Sequence, residues 1–324
     1  MVFMSELGLA IDGFTPAKDI RAQARAAEDS GAEILWIATH LFQRDSVTLA
    51  ATALAATTNL RVALMAISPF AMHPVHAAMS AATLEELYPD RVVLCLGVGS
   101  PSDLRGAGIA PVKAVATMRD AIKVCRSLFA GKTAEYQGEI FQIKGRRLAN
   151  GGQNIPIVLA ASGPKMLKLA GSDADGVIIS GATSVPFVRH CLEIVNSSVP
   201  DTSFRRFGIV YTDIESDSET PRGTVRRTIG LFLRGAHHTE NIRMGGAELD
   251  QDSLTDAVAR EEWGRVETLI NQSVLDRHAA CGEANNVRSR IQEYHAVGLD
   301  QVVIAGANEP QRIKAILTSL NVTR

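Results

Sequence analysis

The feature that most constrains the fold is an alternation of short apolar runs with segments of helical period, which persists along the chain. Eight runs have the continuous apolar character of strands buried on both faces, and they begin at Leu7, Ile34, Arg61, Arg91, Ile155, Gly176, Phe207 and Gln301. Helical segments lie between them, for example over 16–29, 47–56, 73–87, 113–129 and 287–297. Since parallel strands need helical crossovers, eight such units predict an α/β protein with a (β/α)8 TIM barrel and insertion regions.

Two stretches interrupt the alternation and are the predicted insertion regions. Residues 133–143 alternate about a Gln-Gly pair, which predicts a small hairpin before the fifth strand. Residues 234–253 are polar, contain glycine and lack a regular period, so we expect a long loop after the seventh strand that acts as a lid or a subunit contact. No repeat, low-complexity tail or linker divides the chain, and residues 1–324 are therefore predicted to form a single domain.

Composition excludes several classes of function. The 324 residues suit one barrel, and 46% hydrophobic with 21% charged residues is typical of a globular protein. The balance of 33 Lys and Arg against 35 Asp and Glu, without a basic stripe, argues against a nucleic-acid partner. The four cysteines form no CxxC pair, which argues against a zinc or redox dithiol module. No run approaches the ~20 apolar residues of a membrane span and no signal-peptide pattern is seen, so we expect a cytoplasmic protein without a membrane partner.

In a barrel of this type the site lies where the strands end, so the residues that follow each strand are the candidates. They are Thr39 and His40 after the second strand, Ser68 after the third, Gly97, Gly99, Ser100 and Ser102 after the fourth, and Ala161, Ser162, Gly163, Pro164 and Lys165 after the fifth. Acid/base groups are scarce, because Asp12 is better explained by turn chemistry and no GxSxG elbow occurs. No cluster has the spacing of a metal site. Such a mouth fits chemistry performed by a bound cofactor.

The stretch IPIVLAASGPKMLKLAG, residues 155–171, passes from a buried strand into a helix. Pro164 suits the first helical position, where an N–H would have no partner, and Gly163 permits a ligand to approach the backbone closely. Because the amides at a helix start attract anions, this junction is a candidate phosphate site. The alternative is that the loop only turns the chain.

His40 is the predicted catalytic residue, because a histidine at a barrel mouth can move a proton near neutral pH. A packed or solvated loop histidine is the alternative. His73 and His76 flank a proline at a helix start, which favours capping or packing. His237 and His238 fall in the irregular region, where we expect a surface role.

The run LCLGVGSPSDL, residues 94–104, places two glycines at a strand end, where bulk would block a ligand lying across the barrel. This pattern favours a flat ligand, with turn glycines as the alternative. It is not a GxGxxG dinucleotide fingerprint, because Ser102 stands at the third glycine position.

Three stretches, residues 27–40, 73–100 and 155–181, together resemble the luciferase-like flavin and deazaflavin oxidoreductases, in particular the methylenetetrahydromethanopterin reductase branch. The resemblance implies a bacterial luciferase-like barrel, a small-molecule substrate and coenzyme F420 as cofactor, with FMN as the alternative. It also implies a homo-oligomer, a dimer or tetramer, for which the apolar face of residues 73–87 is a candidate interface.

The resemblance assigns roles to particular residues. Ala161, Ser162, Gly163, Pro164 and Lys165 match the phosphate-proximal loop, and His40 matches a histidine close to the deazaflavin. A non-prolyl cis peptide that supports the ring aligns with Met65 and Ala66. The remaining predicted cofactor contacts are Thr39, Gly97, Gly99, Ser100 and Ser102.

The chain departs from the family pattern at two of these positions. Thr39 replaces the usual aspartate, and Ser102 stands where an acidic residue is common. Asp103 is expected to substitute for the missing acid only if its loop shifts. The departure at Thr39 weakens the donor role carried over to His40, and the departure at Ser102 removes the usual acidic contact at that position.

Three hypotheses for function follow. The first is an oxidoreductase that transfers a hydride between F420 and an unidentified substrate, in the manner of a methylenetetrahydromethanopterin reductase. The alternative is an FMN-dependent luciferase-like monooxygenase, and the second alternative is a non-catalytic cofactor-binding barrel. Residues 234–271 are expected to form loops that recognise the substrate.

Overall fold

The eight predicted strands are present in the computed structural model, which describes residues 6–199, 203–214 and 221–321. The strands are β1 Glu6–Ile11, β2 Ile34–Ala38, β3 Arg61–Ile67, β4 Val92–Leu96, β5 Ala134–Gln137, β6 Gln142–Arg146, β7 Ile157–Ala160, β8 Gly176–Ile179, β9 Arg205–Ile214, β10 Ala280–Gly282 and β11 Gln301–Ala305. Strands β5, β6 and β10 are additional to the predicted eight.

Helices connect the strands and cover the sheet. They are α1 Ile20–Asp29, α2 Ser46–Ala56, α3 Pro74–Leu87, α4 Pro101–Gly106, α5 Ala114–Phe129, α6 Pro164–Asp173, α7 Val185–Asn196, α8 Pro221–Leu233, α9 Thr239–Gly245, α10 Gln251–Ala259, α11 Trp263–Leu269, α12 Gln272–His278, α13 Ala284–Ala296 and α14 Pro310–Leu320, with 3-10 turns at Ala17–Asp19 and Ala236–His238. The predicted helical segments are confirmed to within a few residues. Across the described ranges, no helix is long and apolar enough to cross a bilayer.

The sheet closes into a barrel, which confirms the predicted (β/α)8 fold. Around the barrel the strands follow the order β1, β2, β3, β4, β7, β8, β9 and β11. All of these strands are parallel, and β11 pairs with β1 to close the barrel. An interior cluster that includes Trp36, Cys95 and Phe207 fills the barrel, and the Trp36 and Phe207 ring centroids lie 4.8 Å apart. The larger apolar core lies between the strands and the outer helices.

A polar network fills the amino-terminal end of the barrel. The buried Trp36 indole Nε1 donates to Gln301 Oε1 at 3.0 Å, and Gln301 Nε2 donates to Glu33 Oε2 at 2.6 Å. Glu33 also pairs with Arg205 at 3.2 Å and Arg61 at 3.6 Å. A cavity of about 440 Å³ opens at this end, opposite the mouth where the candidate residues lie.

The predicted hairpin is confirmed as the antiparallel pair β5 and β6. Asp120 on α5 holds it in place, because its carboxylate accepts hydrogen bonds from Tyr136 Oη at 2.8 Å and from the Ile140 and Phe141 amides at 2.6 and 3.1 Å. The hairpin is thus tied to the outer helices.

The expectation of a long loop over residues 234–253, continuing to 271, is wrong. The region forms α9, α10 and α11, and these pack with α8 and α12 around a second apolar core. Leu254, Ala257 and Val258 are buried at helical spacing, a short signal that the surrounding polar residues obscured. Polar residues within this region are buried because their partners lie on the barrel, which local pattern cannot reveal.

Candidate active site

Small residues line the carboxyl-terminal mouth on neighbouring strands. A Cβ added at Gly97 would lie 2.9 Å from Ala66 Cβ and 3.3 Å from Ala160 Cβ. Real Cβ atoms do not approach so closely, so the position requires glycine for the ends of β3, β4 and β7 to meet. The wall that they form at the mouth therefore consists of small apolar residues.

The end of β3 has the backbone that the resemblance implied. The Met65–Ala66 peptide is cis, as predicted, and the register of β3 against β4 shifts between Leu64 and Ile67. Met65 and Ala66 are partly buried and pack against the interior cluster.

The loops after β3 and β4 are bonded to each other. Ser68 Oγ donates to the Val98 carbonyl at 2.7 Å, and the Gly97 amide donates to the Ile67 carbonyl at 3.1 Å. Gly99 has φ of 96°, a left-handed conformation that favours glycine. These contacts fix the position from which α4 begins.

His40 lies beside Asp103, which the sequence predicted as a substitute acid only if its loop shifted. Its Nδ1 is 3.2 Å from Asp103 Oδ2, and the two side chains are 42% and 26% exposed. A carboxylate only accepts hydrogen bonds, so Nδ1 carries the proton in this pair and Nε2 is left available. Within the described residues Nε2 has no hydrogen-bond partner.

Asp103 reaches His40 because α4 begins at Pro101. Ser100 caps the helix, its Oγ accepting from the Asp103 amide at 3.5 Å, and Ser102 Oγ lies 2.8 Å from Ser100 Oγ and 3.3 Å from Asp103 Oδ1. No acid at position 102 is needed for this contact. The sequence Ser-Pro-Ser-Asp has the spacing of a capping box, a signal that places the acid on the first helical turn.

The Thr39 side chain is engaged away from His40. Its hydroxyl donates to Ser46 Oγ at 2.8 Å at the start of α2, and its amide donates to the Met65 carbonyl at 2.5 Å. Thr39 therefore connects β2 to the end of β3 and to α2.

The start of α6 is open. Gly163 is its N-cap with φ of −85° and ψ of 147°, Pro164 is the first helical residue, and no side chain in the described ranges caps it. A Cβ added at Gly163 would meet nothing within 4 Å. Ser100 and Ser184 cap α4 and α7 in contrast. Pro164 has no N–H and the Met166 amide donates to the Gly163 carbonyl at 3.0 Å, which leaves the Lys165 amide in the first turn free to bind an anion. Lys165 is exposed in the first turn, and the Ala161 amide is fixed to the Ile178 carbonyl at 3.1 Å.

The loop after β8 is held by the helical region. The Ala182 carbonyl accepts from Asn241 Nδ2 at 2.8 Å and from His278 Nδ1 at 3.1 Å, while Asn241 Oδ1 accepts from the Ser184 amide at 2.8 Å. Burial lowers the pKa of His278 to about 4 and that of His238, beside Asn241, to about 3. The expected surface role of His238 is wrong, since it is 2% exposed.

The other candidates have structural partners. Asp12 accepts from the Phe14 amide at 2.9 Å and from Asn308 Nδ2 at 2.9 Å, and His73 Nδ1 accepts from the Val75 amide at 3.2 Å at the start of α3. In the described ranges, no three His, Cys, Asp or Glu side chains are grouped to hold a metal.

Tyr211 also reaches the mouth and was missed by the sequence analysis. Phe207, Ile209 and Tyr211 all pack against the interior cluster. The alternation of FGIVYTDI was a usable signal, since residues two apart in a strand share a face.

Comparison with known proteins places this site in a family. The luciferase-like monooxygenase family model matches residues 1–301, and the chain belongs to that family. It is 27% identical over 312 residues to a 5,10-methylenetetrahydromethanopterin reductase of Archaeoglobus fulgidus, covering 92% of each chain. It is 30% identical over 273 residues to an F420-dependent glucose-6-phosphate dehydrogenase of Mycobacterium avium, covering 79% of this chain and 76% of the other.

The fold comparison agrees. The solved structure of a coenzyme F420-dependent tetrahydromethanopterin reductase from Methanopyrus kandleri superposes with a TM-score of 0.88 over 98% of both chains, at 18% identity. The likeness of the fold thus extends over nearly the whole chain.

Proposed function

We propose that the protein is an F420-dependent oxidoreductase that transfers a hydride between the deazaflavin and a reduced pterin. The observation that carries the proposal is the His40–Asp103 pair at the same barrel mouth as the uncapped start of α6. One supplies a group that can move a proton, and the other a site for an anion. Its relatives named as F420-dependent enzymes support the choice of cofactor.

The residues at the mouth fit this cofactor. The phosphate would lie against the Lys165 amide at the start of α6, where Gly163 leaves space and the Lys165 side chain adds positive charge. Contacts from Ala161, Ser162 and Pro164 complete the proposed phosphate loop. The flat head would rest on the wall formed by Met65, Ala66 and Gly97, with Thr39, Gly99, Ser100 and Ser102 on the surrounding loops.

Each side of the site has a defined task. When bound, F420 supplies a carbon that gives or accepts a hydride. Asp103 fixes the ring of His40 with Nδ1 protonated, so that Nε2 can accept or donate a proton at the substrate. The small residues on β3, β4 and β7 exclude water from below, while the helical region limits access from the side of β8 and β9.

The substrate proposed here is a methylene-tetrahydropterin of the methylenetetrahydromethanopterin type. The support is the similarity to reductases of that name over 92% of the chain. An F420-dependent alcohol or sugar-phosphate oxidation is the competing outcome. Steady-state assays with reduced F420 and methylenetetrahydromethanopterin, beside a secondary alcohol and glucose 6-phosphate with oxidised F420, decide between them.

Cofactor choice is tested by titrating the purified protein with F420 and, in parallel, with FMN, following the fluorescence of each. We expect saturable binding of F420 and weaker binding of FMN. Binding of FMN alone would overturn the proposal.

An FMN-dependent monooxygenase is the second candidate, favoured by the description of the matching family. Oxygen consumption with reduced FMN and a flavin reductase would support it, since a deazaflavin does not sustain oxygenation. A non-catalytic barrel is the third, and retention of the His40–Asp103 pair argues against it.

We also propose that the protein forms a homo-oligomer, a dimer or tetramer, through the outer faces of α2 and α3. Helix α2 contains no Asp, Glu, Lys or Arg, and α3 contains none before Glu85. Met79 and Leu87 on α3 are 47% and 62% exposed. Light scattering after gel filtration should report an oligomer that Met79→Arg dissociates, and a monomeric wild type would contradict the proposal.

A further inference from the structure

Two tyrosines lie beside the mouth, Tyr294 fully buried and Tyr211 partly buried, and their hydroxyl groups differ in hydrogen bonding. Tyr294 on α13 donates to the Thr183 carbonyl at 2.7 Å and is 1% exposed. Tyr211 on β9 has no hydrogen-bond partner in the part of the chain that the structure describes. A phenol is normally satisfied when it is buried, so the contrast needs an explanation.

The ring of Tyr211 is held firmly. A Cβ added at Gly181 would lie 2.7 Å from its Cε2, and one added at Gly306 would lie 3.5 Å from its Cδ1. Phe232 of the helical region contacts it from a third side, with ring centroids 5.5 Å apart. The glycine at position 181 after β8 therefore makes room for this ring, and these contacts fix where the hydroxyl lies.

The hydroxyl opens to accessible space. Tyr211 keeps partial exposure, and its oxygen is not among the fully buried polar atoms that lack a partner. Asp12 is near enough to raise the pKa of Tyr211 further after burial has raised it. The Asp12 carboxylate already accepts from Phe14, Thr15 and Asn308, so the phenol stays a neutral donor with no acceptor.

Tyr211 stands across the barrel from the proposed cofactor wall. Following the strand order, β9 lies four strands from β3, which carries Met65 and Ala66. Its register partner on β11 is Ala305, the last residue of that strand, so Tyr211 is at the level of the mouth. A substrate between the two walls would meet the phenol.

We propose that the Tyr211 hydroxyl donates a hydrogen bond to an acceptor oxygen or nitrogen of the pterin substrate, holding it opposite the cofactor wall. This inference rests on the proposed function. It assigns a substrate-positioning contact to a residue outside the motifs that define the family resemblance.

The test compares Tyr211→Phe with the matched control Tyr294→Phe. With reduced F420 and methylenetetrahydromethanopterin, Tyr211→Phe should lower kcat/KM by about tenfold or more, since the site loses its donor to an acceptor. Its F420 affinity and its urea midpoint should match wild type, because no bond in the free protein is lost. Tyr294→Phe should show the reverse, with a lower urea midpoint and kcat/KM within about threefold of wild type.

Each result points to one conclusion. A Tyr211→Phe enzyme with wild-type kcat/KM overturns this inference while the proposed function stands. A destabilised Tyr211→Phe protein overturns it as well, since the phenol would then have a structural role. If the wild type binds no F420 or does not turn over the pterin, the proposed function fails and the inference fails with it. An ultraviolet difference spectrum on adding the pterin, present in wild type and absent in Tyr211→Phe, gives an independent reading.

Discussion

At the amino-terminal end of the barrel polar side chains bond to one another, whereas at the carboxyl-terminal mouth several of the described polar atoms have no protein partner. Trp36, Gln301 and Glu33 form a closed chain of hydrogen bonds at the first end. The Nε atoms of Arg61 and Arg205 lack partners there, but both guanidinium groups are ion-paired through another nitrogen.

The mouth keeps several polar atoms free. Nε2 of His40, the hydroxyl of Tyr211 and the Lys165 amide at the start of α6 have no partner among the described residues. The contrast teaches that the same kinds of residue stabilise the fold at one end and are left for ligands at the other. Substitutions at the two ends should therefore separate stability from function.

The largest expected effect is at the mouth. His40→Ala should lower turnover by about 10²- to 10⁴-fold, because the proton-moving group is lost. Its urea midpoint should stay within error, since the side chain is 42% exposed. The rate of reduced-F420 oxidation and urea unfolding measure the two. His73→Ala is the control, which removes a helix cap and should reduce stability by about 1 kcal/mol while turnover is kept. Unchanged turnover in His40→Ala would favour the non-catalytic barrel.

The reverse result is expected at the closed end. Gln301→Ala leaves the buried Trp36 N–H without an acceptor and opens a cavity, so the free energy of unfolding should fall by about 2–4 kcal/mol. F420 affinity should be unchanged at temperatures where the variant is folded. Urea unfolding and F420 fluorescence are the measurements, with exposed Gln137→Ala as control. A Gln301→Ala variant with unchanged stability and weakened F420 binding would contradict the prediction that the amino-terminal end serves stability and the mouth serves binding.

Acid is expected to destabilise the loop beside the mouth that His238 and His278 hold before it destabilises the barrel strands. Since the folded pKa values of His238 and His278 lie near 3 and 4, below the ordinary 6.5, the folded state prefers both neutral. Stability is thus complete above pH 6.5 and falls by about 1.4 kcal/mol per pH unit for each histidine as pH drops toward those values. Hydrogen exchange at pH 7 and 5.5 should show lost protection in residues 180–184 before β1 and β11. His278→Asn should flatten the dependence, and equal protection at both pH values would contradict the assignment.

Replacing the carboxylate beside His40 tests positioning within the mouth. Asp103→Asn should lower kcat by about tenfold with little effect on F420 affinity, because the ring is held less strictly in one tautomer. Ser102→Ala, which removes a 3.3 Å contact to Asp103, should have a smaller effect. If Ser102→Ala is the more damaging of the two, Asp103 is not the orienting group.

The smallest effect is expected at the phosphate loop. Gly163→Asp fits the open space and caps α6, so stability should hold or rise, while the carboxylate should weaken F420 binding about fivefold or more. Gly264→Asp, at an equally open glycine in α11, should leave binding unchanged. Equal affinities for both variants would place the phosphate elsewhere.

Much of the scaffold could be predicted because it depends on local pattern. The eight strands, the hairpin over 133–143 and the open helix start at Pro164 follow from apolar period and from the few conformations that Gly and Pro favour. The cis peptide at Met65–Ala66 came from resemblance instead. The same local method failed over residues 234–271, where buried polar side chains hid short helices.

The sequence by itself determined the barrel, since alternating strand and helix periods act over a few residues and each run must bury its apolar face. Only the tertiary structure decided which polar groups meet. His40 pairs with Asp103 63 positions away, and Trp36 with Gln301 265 positions away. Such contacts depend on how the strands close and where α4 begins, and the same closure leaves the Tyr211 hydroxyl facing the mouth without a partner.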